Sequence, residues 1–224
     1  MAGVLRMPST DQQEKTHKGW ILLELLPIAL LALLRIPFLT IIILIICFWR
    51  IYRRNLTWEY LGFDKRDNIL RTMIIGLIIA VVYQAFSIFL LVPVLDVITQ
   101  SRLDLSEITA LRGNGANFLI AIILSWTLAA FGEEIAYRSY LYHLLEDLFD
   151  RKRFGVIAAV VICTFLFTLG HGYQGISGIL ENLFFGLAMA MAFLFSGKNL
   201  WLPVFIHGFV DTIGFILIFS GVYP

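Results

Sequence analysis

Charge is what this sequence has least of. Only 15% of its 224 residues are Asp, Glu, Lys or Arg, against roughly 25% in a soluble domain. So few charges cannot build a water-facing shell, which excludes a soluble enzyme, a disordered tail and a nucleic-acid module. Cysteine is scarce as well. Cys47 and Cys163 both lie in apolar runs, so a disulfide framework and a Cys-type zinc site are excluded, and both read as small apolar packing residues. There is no low-complexity tract, no internal repeat and no linker long enough to divide domains. The net charge of +1 says nothing about partners, because the sign of charge matters locally.

What is present in excess is apolar residue, 59% of the chain, with a mean hydropathy of +0.85. Between Gly19 and Trp49 the only charges are Glu24 and Arg35, and Val156 to Gly170 and Ile213 to Val222 carry none. Uncharged stretches approaching ~20 residues read as membrane spans. The apolar segments are 20–34, 37–52, 69–98, 117–148, 154–171, 175–196 and 199–222. The expectation is an all-α polytopic membrane bundle of seven to eight segments: a polar tail over 1–19, then one helical membrane domain over 20–224. The eighth helix would arise if 117–148, longer than one span needs, broke and laid its amphipathic end along the interface. The run after the polar tail is too long for a signal-peptide core and lacks a small-residue cleavage pattern, so the N-terminus is expected to be retained.

Basic residues set the expected orientation. Arg50, Arg53, Arg54, Lys65, Arg66 and Arg71 form one block, Arg151-Lys152-Arg153 a second, and Lys198 lies between the last two segments. Cytoplasmic loops collect Lys and Arg. If 20–52 is a tight hairpin turning at Arg35-Ile36-Pro37, these blocks and the N-terminal tail fall on one side, leaving only Arg102, Arg112 and Arg35 elsewhere. A cytoplasmic N-terminus follows. The two hairpin arms are short for full spans, so one of them can be re-entrant or shallowly tilted.

An ionisable group in the hydrocarbon core costs about 2.5–3.5 kcal/mol on insertion scales and asks for a reason. Five acids stand out within the apolar segments: Glu24, Glu133, Glu134, Glu181 and Asp211. His171, His207 and Arg138 join them. On a helix Glu134 and Arg138 share a face and can pair, whereas Glu133 is rotated about 100° away and left free. A carboxylate without an ion-pair partner in such a place can act as a general base. The bland alternative for Glu134 and Arg138 is an ion pair that fixes helix packing. His207 and Asp211 are also four apart, as in imidazole–carboxylate pairs that orient a ring. His171, between Gly170 and Gly172, lies near the end of its segment, and reaches the depth of the others only if the helix breaks there or tilts. Glu24 and Glu181 read as structural acids near helix ends.

Three patterns, Glu133-Glu134-x-x-x-Arg138, Phe167-x-x-x-His171 and His207-x-x-x-Asp211, resemble in order and spacing the CPBP (ABI) family. That family includes type II CAAX prenyl endopeptidases and bacterial bacteriocin-processing or immunity proteins. Flanking sequence agrees: Tyr60-Leu-Gly-Phe63, Gly186, and Leu200-Trp-Leu-Pro203. The resemblance covers about 50–215. It implies an intramembrane endopeptidase of about eight helices with a polar cavity in the bilayer, in a bacterial cytoplasmic membrane, acting on a membrane-associated or prenylated peptide substrate. By carry-over Glu133 with His171 would activate water, His207 and Asp211 would stabilise the oxyanion, and Glu134 and Arg138 would organise the site. Two positions depart from the family pattern: Ser139 replaces a common glycine, and Asp211 stands where the prenyl-processing branch has asparagine. An ionised carboxylate cannot donate to an oxyanion, so Asp211 must be protonated or serve only to hold His207. No cofactor is expected. A His₂Glu zinc set is the alternative, although one helix does not supply two histidines here. A non-catalytic immunity or binding protein using the same cavity is the second functional class, and a proton-coupled transporter the third.

Overall fold

The computed structural model describes residues 10–33, 39–54, 57–63 and 68–222. The described residues form helices and turns, with no strand among them. The helices are α1 (Thr10–Leu33), α2 (Leu39–Arg54), α3 (Ile69–Thr99), α4 (Gly115–Leu148), α5 (Arg153–Gly170), α6 (Gly175–Phe195) and α7 (Trp201–Phe219). The last five are long and apolar enough to cross a membrane. Their outer surfaces carry large exposed apolar side chains such as Ile78, Val82, Phe89, Ile120 and Phe165, as lipid contact requires.

α1 and α2 do not meet that criterion. With 16 residues, α2 is about 24 Å long at 1.5 Å per residue, against a hydrocarbon core of about 30 Å. Its start reaches only the middle of the bundle, where Thr40 Oγ1 lies 3.5 Å from the Tyr137 hydroxyl on α4. The two helices run antiparallel, since Glu24 on α1 pairs with Arg50 near the end of α2. The expected turn at Arg35-Ile36-Pro37 lies outside the described residues.

α4 does not break, so no separate eighth helix forms from 117–148. It widens instead: from Ser125 to Tyr140 the backbone bonds follow the π pattern, flanked by α-helix on both sides. π turns usually occur singly and often at functional sites, and this long one carries Glu133, Glu134 and Arg138. α5 ends at Gly170, with His171 as its cap and a single 3₁₀ turn, Gly172–Gln174, leading into α6.

The bundle has two distinct ends. At one, Lys18 pairs with Asp150 at 2.5 Å, Arg151 with Asp147 at 2.8 Å, and Lys198 with Glu146 at 2.7 Å. Gly62 belongs to this end. It has φ +96 and its added Cβ would lie 2.5 Å from the Lys198 carbonyl, so a side chain cannot be placed there. The Gly62 carbonyl accepts from Leu200 N at 2.9 Å, and Phe63 packs on Trp201 with ring centroids 4.8 Å apart. At the opposite end Asp104 N donates to the Gln174 carbonyl and Gly113 N to the Phe219 carbonyl, both at 3.1 Å. Of the basic residues weighed for orientation, Lys18, Arg151, Lys152 and Lys198 share one end.

Helices α3 and α7 pack closely along their length. Gly76 permits this: a Cβ there would meet Phe205 Cβ at 2.7 Å. The same packing stations His207 and Asp211 toward the interior.

Candidate active site

A cavity of about 1010 Å³ opens among α2 to α7 and the 103–108 loop. Glu133, His171, His207 and Asp211 all line it. Residues from α4, the α5 terminus and α7 are therefore gathered around one space, although they are up to 78 positions apart in sequence (133 to 211).

His207 is held from two sides. Its Nδ1 lies 2.8 Å from Glu134 Oε1, and its Nε2 lies 3.7 Å from Asp211 Oδ2. The first is a hydrogen bond and the second is too long to be one. The ring also packs edge-on against Phe185, with centroids 4.9 Å apart. The carboxylate that orients the imidazole is thus Glu134, from another helix, and not Asp211, the neighbour that helical spacing points to. Asp211 Oδ2 instead accepts from the Ser125 hydroxyl at 2.7 Å.

Glu134 is fully buried. Its second oxygen, Oε2, is 3.3 Å from Arg138 Nε, the pair that the i, i+4 spacing predicts. The guanidinium lies 4.3 Å from the Phe167 ring centroid, and one of its terminal nitrogens donates to the Gly186 carbonyl at 3.3 Å. Gly186 matters because an added Cβ would crowd Thr164 Cγ2 at 3.0 Å and Phe167 Cδ1 at 3.2 Å. Arg138, Glu134 and His207 form one chain of contacts running from α4 to α7.

Glu133 is different. Its Oε2 and that of Glu134 are both shielded from solvent without a hydrogen-bond partner. Glu134 Oε2 has the Arg138 guanidinium beside it, whereas Glu133 has no such ion pair among the described residues. His171 faces the same cavity with Nδ1 set 3.0 Å from the Phe167 carbonyl, which leaves Nε2 for a ligand. Among the described residues Glu133 and His171 share no hydrogen bond, so a water would have to bridge them. The helix end at Gly170 lets the His171 ring turn into the cavity.

Two acids read from sequence as near-interface prove to be internal. Glu24 pairs with Arg50 and accepts from the Tyr140 hydroxyl at 2.8 Å, away from the cavity. Glu181 lines the cavity, its Oε1 accepting from the Tyr83 and Ser87 hydroxyls at 3.0 and 3.1 Å. Ser125, Tyr83 and Ser87 carry no recognisable signal in the sequence. At the mouth, outside the spans, the Ser106 hydroxyl and amide hold the Asp104 carboxyl below the usual carboxylate range.

Among the described residues no group of three or more His, Cys, Asp or Glu side chains is gathered as a metal site needs.

Comparison with known proteins gives one finding. Residues 115–213 match the family described as type II CAAX prenyl endopeptidase Rce1-like. The matched stretch contains all three motifs. No curated protein and no solved structure matches the chain.

Proposed function

From the support that this match lends to the CPBP (CAAX protease) family, a protease family, and from a multi-pass membrane protein as premise, we propose that the chain is an intramembrane endopeptidase hydrolysing a membrane-associated polypeptide. The observation that carries the proposal is Glu133: it lines a cavity shared with two histidines, and one of its carboxylate oxygens has no hydrogen-bond partner. Such a group can take a proton from a water as that water attacks the scissile carbonyl. His171 Nε2 holds the same water in line. His207, fixed by Glu134, presents Nε2 toward the space before Asp211. In its doubly protonated form it donates that N–H to the oxyanion, and donors aimed at developing charge in a water-poor site are the largest single contribution in many enzymes. Ser125 and Asp211 complete the rim. Arg138 secures Glu134 and so positions the imidazole. The proton taken by Glu133 then passes to the leaving amine. No step is routed through a metal.

In this proposal the α1–α2 pair is a hairpin entering from the basic end, which is the cytoplasmic side of a bacterial membrane. With the five spans this makes seven segments.

The test is direct. The purified protein in lipid nanodiscs is incubated with membrane-inserted and lipidated peptides, and the products are sequenced by mass spectrometry. A defined new carboxyl terminus supports hydrolysis. Saturable binding of a peptide without any product would favour the immunity or binding function instead.

A further inference from the structure

We infer that Glu181 is a specificity residue of the cavity, a subsite that takes a cationic group of the bound peptide. This rests on the peptide-hydrolysing site proposed above, and adds to it a class of substrate.

Several internal acids of the fold have a cation of their own. Glu24 has Arg50, Glu134 has Arg138 and Glu146 has Lys198. Each is matched by a cation of the chain. Glu181 is matched only by two hydroxyls, and both go to the same oxygen, Oε1. Its other oxygen is not among the solvent-shielded unpartnered atoms, although the residue lines the cavity; Oε2 therefore opens into that space. Tyr83 and Ser87 hold the carboxylate in one orientation without neutralising it, which is the arrangement a receptor for a cation needs. A second, independent feature points the same way. Glu133 lines the same space and its Oε2 has no hydrogen-bond partner, and Asp211, which lines it too, accepts only from the Ser125 hydroxyl.

The rest of the lining supports the sign. Asp104 and Glu107 lie at the mouth, with no Lys or Arg among the described lining residues. The charge at Asp104 is stabilised by Ser106. A cavity with low-dielectric walls and carboxylates of one sign focuses its field and draws in the opposite charge. Glu181 lies six residues into α6 from Gly175, toward the end of the cavity where Asp104 N meets the Gln174 carbonyl. A lysine ammonium, an arginine guanidinium or a free peptide N-terminus could each fill the subsite, since all present N–H donors and positive charge to a carboxylate.

The experiment measures equilibrium binding of fluorescent membrane peptides to the Glu133→Gln protein in nanodiscs, so that binding is read without turnover. A lysine is walked along the peptide against norleucine, which has the stem without the charge, and each peptide is made with a free and an acetylated N-terminus. At one position, or at the free N-terminus, the cationic form should bind about ten- to a hundredfold tighter, the range of a charge-assisted hydrogen bond. Adding Glu181→Gln, which keeps an acceptor for Tyr83 and Ser87, should bring that ratio close to one. Absence of any cation preference before Glu181 is changed overturns the inference, and so does a ratio that survives Glu181→Gln. The first of these needs no Glu181 variant to fold. If wild type cleaves none of the peptides but the Glu181-dependent ratio is found, the endopeptidase proposal fails and the cation subsite stands.

Discussion

Arg138→Leu isolates the contact that organises the site. The substitution keeps an aliphatic side chain within the widened part of α4 but removes the guanidinium and its charge. Arg138 is 3% exposed and Glu134 fully buried, so Glu134 would keep a buried charge with His207 as its remaining partner. Removing one member of a buried pair typically costs about 3–5 kcal/mol, chiefly because the other charge is stranded. Loss of the stacking on Phe167 contributes about 0.5–2 kcal/mol to the total, and loss of the bond to the Gly186 carbonyl about 1 kcal/mol. The double variant Glu134→Gln/Arg138→Leu removes the stranded charge, while the glutamine oxygen still accepts from His207. It should be more stable than Arg138→Leu alone, with a coupling of about 2 kcal/mol. Thermal and denaturant unfolding in detergent micelles, followed by circular dichroism for the wild type, both single variants and the double variant, gives the complete cycle. A coupling below about 0.5 kcal/mol, or an Arg138→Leu protein as stable as wild type, refutes the claim that this pair braces the site.

Other consequences follow from the same geometry. Gly76→Ala places a Cβ 2.7 Å from Phe205 Cβ, a rigid neighbour, and should destabilise the α3–α7 contact by about 1–3 kcal/mol, read as a lower melting temperature. Lys198→Met removes the donor that reaches both oxygens of the buried Glu146, at 2.8 and 2.7 Å, and should cost more stability than Lys152→Met, whose partner Asp150 lies 3.8 Å away. Exhaustive chelation, with metal content checked by elemental analysis, should leave peptide cleavage unchanged; loss of activity restored by zinc would contradict the metal-free mechanism. Cysteines introduced at Lys152 and Asn114, with Cys47 and Cys163 replaced, should react with impermeant reagent from opposite sides of the membrane. Labelling of both from one side would refute the orientation.

Much of this was legible because a membrane protein displays its few charges against an apolar background. The Glu134–Arg138 pair follows from helical spacing, and the structure gives it at 3.3 Å. The flanking Gly62 and Leu200, both noted in the sequence, meet across the basic end. Contacts between distant helices were not legible. The spacing of His207 and Asp211 suggests a pair, yet α7 is rotated so that Glu134 of α4 takes the imidazole and Ser125 takes Asp211. Glu181 looked like an interfacial acid because it follows two glycines near a helix start. Its neighbours Tyr83 and Ser87 come from α3, about 95 positions earlier. The π widening of α4 has no periodic signature in a segment that is apolar on most sides. Neither does the short reach of α2, which depends on where its start meets Tyr137.

The central claim, that Glu133 supplies the base for peptide hydrolysis, is tested most directly by single-turnover cleavage of one membrane peptide by wild type and Glu133→Gln, both shown folded by their melting curves. General-base catalysis is worth about 10²–10⁴-fold, so the variant should lose at least a hundredfold in rate with peptide binding retained. Equal rates would contradict the account.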